Sequence, residues 1–102
     1  MKLKGKTSGL ELLETAQSLA IDALGFLASD NDRLERFFST TGLDPQTLRE
    51  QAHNPSTHAA ILEHLLQDES LLLVFCANTR NSPNDIRPAL EALQSSPQQE
   101  TG

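Results

Sequence analysis

The chain has 102 residues, a formal charge of −6 with histidine neutral, 22% charged and 37% hydrophobic residues, and neither Trp nor Tyr. That length suits one domain able to bury a core without disulfides or metal, and the composition excludes wholesale disorder. Its one cysteine, Cys76, excludes an intramolecular disulfide and suits a reducing compartment, so a cytoplasmic location is expected.

All three Lys fall in Met1-Lys2-Leu3-Lys4-Gly5-Lys6. Residues 1–8 are expected to be a flexible basic arm, because Glu11, Glu14 and Asp22 interrupt any apolar run that a secretory signal would need. Without those three charges the remainder is formally −9, which repels a phosphate backbone, so no nucleic-acid partner is expected. No stretch approaches the roughly 20 apolar residues of a membrane span, and no membrane association is expected.

Capping signals divide residues 9–94 into a single helical domain. Ser8-Gly9-Leu10-Glu11 is a capping box that starts a first helix ending near Ala28, apolar over more than half its circumference. A second helix carries Leu34, Phe37, Phe38 and Thr41 on one face and stops at Gly42. Asp44-Pro45 starts a brief third helix, and Asn54-Pro55 starts a fourth with Ala59, Ile61, Leu62, Leu65 and Leu66 on its apolar face. Asp68 caps a fifth, in which Leu71 to Ala77 carry no polar side chain; an all-round apolar helix is expected at the centre of the fold. Ser82-Pro83 restarts the chain into a sixth with Ile86, Leu90 and Leu93, where Pro88 is tolerable only within the first turn. Residues 95–102 have nothing to bury and are expected to be a disordered tail.

Sliding the chain by 38 positions aligns Leu24 with Leu62, Leu27 with Leu65, Asp30 with Asp68, Phe37 with Phe75, Thr41 with Thr79 and Pro45 with Pro83. The expected fold is therefore all-α, a compact bundle of about six short helices built from two copies of a three-helix unit, residues 16–53 and 54–91. The copies differ at one face. Arg33 and Arg36 stand where the second copy has Leu71 and Val74. Something must cover that pair, and the start of the first helix, with Leu12 and Leu13, is expected to pack over it. If it does not, Leu71, Val74, Leu12 and Leu13 are the candidate partner surface.

The succession Leu34-x-x-Phe37-Phe38, Thr41-Gly42-Leu43-Asp44-Pro45, Leu65-Leu66-x-Asp68-Glu69 and Leu72-x-x-Phe75 resembles a small bacterial family known only as a domain of unknown function. The resemblance covers about residues 16–93. It implies a compact helical domain and brings no catalytic residues. Some relatives are encoded near a response regulator of cell polarity, which implies a signalling protein as partner. The chain departs from the family pattern at Arg80-Asn81, where Gly and an apolar residue are expected.

Chemistry-bearing residues are few. His58 and His64 lie six apart, about 240° around a helix, so they diverge; with His53 they are expected at the surface or in capping roles, with no metal. Cys76 takes the repeat position of Phe38, a core site, where a thiol is inert. No catalytic, cofactor-binding or metal-binding residues are expected, and the protein is not expected to be an enzyme. The expected function is a protein–protein interaction or adaptor module, acting as a monomer or weak homodimer on an unknown protein partner. The alternative is a helix–turn–helix-like nucleic-acid binder using Arg49 and Arg87, and more remotely an enzyme using Cys76.

Overall fold

A computed structural model describes residues 9–95; the basic arm with its Ser8 cap, and the tail beyond Ser95, lie outside the described residues. The chain forms α1 (Gly9–Ala28), α2 (Asn31–Thr41), α3 (Pro45–Glu50), α4 (Pro55–Leu66), α5 (Glu69–Thr79), a 3-10 turn (Pro83–Asp85) and α6 (Ile86–Gln94), with no strand among the described residues. Every expected helix break is present. Pro88 falls in the first turn of α6, where its missing N–H leaves no helical hydrogen bond unmade.

The caps are made as the side chains dictate. Asp30 Oδ1 accepts from the backbone N–H groups of Asp32 and Arg33 at 2.9 and 3.3 Å, and Asp68 Oδ1 accepts from that of Leu71 at 3.2 Å. Asp44 and Asn54 likewise cap α3 and α4. At the opposite ends, Thr41 Oγ1 donates to the Phe37 carbonyl and Thr79 Oγ1 to the Phe75 carbonyl. Gly42 and Arg80 then turn the chain in the left-handed region, with φ 79° and 62°. Cap chemistry thus recurs at the 38-residue spacing.

The recurrence is local. α6 packs broadly on both α1 and α4, whereas α3, its counterpart in the first unit, makes no comparable contact with another helix. Only Leu48 of α3 is buried.

The central helix is α4. It touches α1, α2, α5 and α6, and of its twelve residues only Ser56 and Glu63 are exposed. Phe37, Leu27, Ile61, Leu62, Leu65, Phe75, Ile86 and Leu93 fill the core around it. This corrects the expectation that α5 lies at the centre. α5 buries Leu72, Phe75 and Cys76 and leaves Leu73, Val74 and Ala77 exposed, with Leu73 at 49% and Val74 at 41%. An apolar run says that a helix can be buried; the number of neighbours decides whether it is.

The expected covering of Leu71 and Val74 by the start of α1 is also corrected. α1 spends its wide apolar stripe on α6 and α4, because the amphipathic α6 offers Ile86, Ala89, Leu90 and Leu93 as a matching face. Leu13 packs half-buried against the core, Leu12 is 38% exposed, Leu71 is half-buried and Val74 is open.

Three stability outcomes are expected from chemical denaturation. Leu62→Ala, emptying a fully buried site on α4, costs about 2–5 kcal/mol, while Val74→Ala stays within about 0.5 kcal/mol. Arg80→Gly, which relieves a left-handed non-glycine residue, raises stability by about 0.5–1 kcal/mol.

Candidate binding site

α2 and α5 both pack on α4, and residues at their N-terminal ends line a cleft of about 270 Å³. Leu71 and Val74, one helical turn apart on α5, form its apolar wall. Arg33 and Arg36, spaced in the same way on α2, form the opposite wall. Positions 38 residues apart, charged at Arg33 and Arg36 and apolar at Leu71 and Val74, therefore border the same cleft.

Arg33 is held in place. Its guanidinium lies over the Phe26 ring, 4.5 Å from the centroid, and Phe26 in turn packs on Phe75 at 5.5 Å. A cation on an aromatic face gains from the ring quadrupole and loses side-chain freedom. Three carboxylates, Asp30, Asp32 and Asp68, also border the cleft; Asp30 accepts from two backbone N–H groups and Asp68 from one.

His64 of α4 lies between these walls. It is 5% exposed, and neither ring nitrogen has a hydrogen-bond partner among the described residues. It meets the Phe37 ring edge-on at 5.3 Å and 84°. Burial lowers the His64 pKa, Asp68 opposes that shift and Arg36 reinforces it. His58, also buried, donates from Nε2 to the Ala52 carbonyl at 2.7 Å, which fixes its tautomer and leaves Nδ1 without a partner. Burial lowers its pKa as well, against the raising effect of that hydrogen bond. The expectation of surface positions for His58 and His64 is thus corrected; the surface position holds for His53. Almost the whole circumference of α4 is covered by neighbours, so residues off its Leu face are enclosed too.

Cys76 is buried on α5, and burial together with Asp85 pushes its thiol pKa up, away from the thiolate that nucleophilic chemistry needs. Arg49 and Arg87 are exposed on α3 and α6. No group of three metal-ligating side chains gathers among the described residues, and no described helix is long and apolar enough to cross a membrane. A second hollow, about 390 Å³, lies between Leu12 of α1 and Pro88 of α6; its buried lining residues, Leu19 and Ala89, are apolar.

These features define a small all-helical protein with a cleft that brings apolar, cationic and acidic side chains together beside a buried histidine. The chain belongs to the family described as protein of unknown function, DUF3572, whose model matches residues 13–96. No curated protein and no solved structure matches it.

The two buried histidines set a pH dependence. Both are depressed in the folded state, so above the ordinary value of about 6.5 they are neutral whether the chain is folded or not, and stability is at its full value. As pH falls below about 6.5 the unfolded chain binds protons that the folded chain refuses, and stability declines. Urea unfolding between pH 7.5 and 5.5 should show this decline, and His64→Leu should flatten part of it.

Proposed function

We propose that the protein is a non-catalytic interaction module that docks a partner protein on the outer face of α5 and the adjoining cleft. The observation that supports this reading is the exposed apolar face of Leu73, Val74 and Ala77, which the core does not use. Of the four residues expected to form a partner surface, Leu71 and Val74 line the cleft. Leu13 belongs to the packing against the core, and Leu12 borders the second hollow. On this reading the chain works as a monomer or weak homodimer in the cytoplasm, and its partner is the signalling protein that the family resemblance implies.

Affinity purification of the wild-type chain under native conditions, with identification of the co-eluting protein, tests the reading when paired with a Leu73→Asp/Val74→Asp variant. Both sites are exposed, so helical content and melting temperature should stay close to wild type while partner capture falls at least about tenfold. Leu12→Asp, on the far hollow, should leave capture unchanged. Undiminished capture by the α5 variant rejects the proposed surface.

A further inference from the structure

Resting on that reading, we propose that the cleft is a receptor for a carboxylate: the partner inserts an acidic side chain between His64 and the Arg33–Arg36 pair, with a neighbouring aliphatic side chain seated on Leu71 and Val74.

Three observations point to an acid. His64 is enclosed and borders the cleft, and among the described residues neither of its ring nitrogens has a partner. A neutral imidazole always carries one N–H, and leaving it buried without an acceptor is unfavourable, so the enclosed ring beside the cleft is short of an acceptor. Arg33 and Arg36 project together from one face of α2, and among the described residues neither is in ion-pair contact with a carboxylate. The acids nearby are differently placed. Asp30 and Asp68 are engaged by backbone N–H groups at the positive ends of α2 and α5, which offset part of their charge. Asp32 is exposed and lies in the first turn of α2. The hydrogen-bonding capacity that α2 and α4 turn toward the cleft is thus mainly donor capacity.

Size and continuity argue for a polypeptide as the source of the acid. About 270 Å³ holds one or two side chains and excludes a whole helix. The apolar surface continues beyond Val74 onto Leu73 and Ala77, further than a small free acid would cover. A partner segment that carries an aliphatic and an acidic residue side by side matches both parts.

The test titrates three capped dipeptides, acetyl-leucyl-aspartyl-amide, acetyl-leucyl-asparaginyl-amide and acetyl-leucyl-lysyl-amide, into the full chain while NMR follows the His64 ring and the Val74 methyls. The aspartyl peptide should shift both sets of signals with a Kd at least about fivefold below that of its isosteric asparaginyl analogue, the difference between a charge-assisted and a neutral hydrogen bond. It should also raise the titration midpoint of His64, which the asparaginyl peptide should not. Arg36→Gln, at an exposed position with no fold at stake, should bring the aspartyl peptide to the level of the asparaginyl one, and His64→Gln should do the same. Equal binding of the two isosteres, preference for the lysyl peptide, or no response of the cleft to any of the three overturns the proposal. These outcomes are separable from the docking reading, which is decided by partner capture in the Leu73→Asp/Val74→Asp variant.

Discussion

Everything in this fold is arranged around the burial of α4. A helix with two exposed positions in twelve residues needs cover on nearly every side, and α1, α2, α5 and α6 supply it. That demand explains why α1 is apolar around so much of its circumference, since it faces both α4 and α6. It also explains why polar side chains are enclosed with the leucines. Thr57, His58 and His64 lie on faces of α4 that a less crowded helix would leave to water. His58 finds a carbonyl acceptor, whereas His64, without a hydrogen-bond partner among the described residues, meets the edge of Phe37. The most distinctive chemistry of the molecule is thus a by-product of how completely one helix is packed.

The segmentation of the chain was legible in the sequence because it is decided locally. An Asp before a helix and a Pro at its first position act within three or four residues, and no tertiary contact is needed to read them. The same holds at Arg80, 38 residues after Gly42, where the backbone adopts the same left-handed conformation. The partners of each helix were less legible. Leu71 to Ala77 form the longest unbroken apolar run, yet α5 lies at the side and α4, interrupted by two histidines, lies in the middle. Hydrophobicity along a segment measures what a helix can tolerate around it. Which helix has the most neighbours depends on how α1 and α6 close over the core, and that is a property of the whole chain.

The cleft shows the same division. Its two walls were visible in the sequence as a contrast between repeat positions, charged at Arg33 and Arg36 and apolar at Leu71 and Val74. That these residues border one cleft, and that His64 borders it too, is decided by how α2 and α5 pack on α4. A histidine judged by its polarity is placed at the surface. Judged by its position one residue before Leu65 on a nearly enclosed helix, it is placed inside.

The pairing of α1 with α6 has a kinetic side. These helices make one of the two most extensive contacts of the fold, although they come from opposite ends of the described chain. A helical protein whose core depended on neighbouring hairpins could assemble stepwise. Here α4 gains its full cover only when segments remote in sequence meet, and the entropy of closing that long loop is lost before most of the burial is gained. Such a chain folds more slowly than its helix content alone suggests. α3, which buries little beyond Leu48, contributes little to that closure.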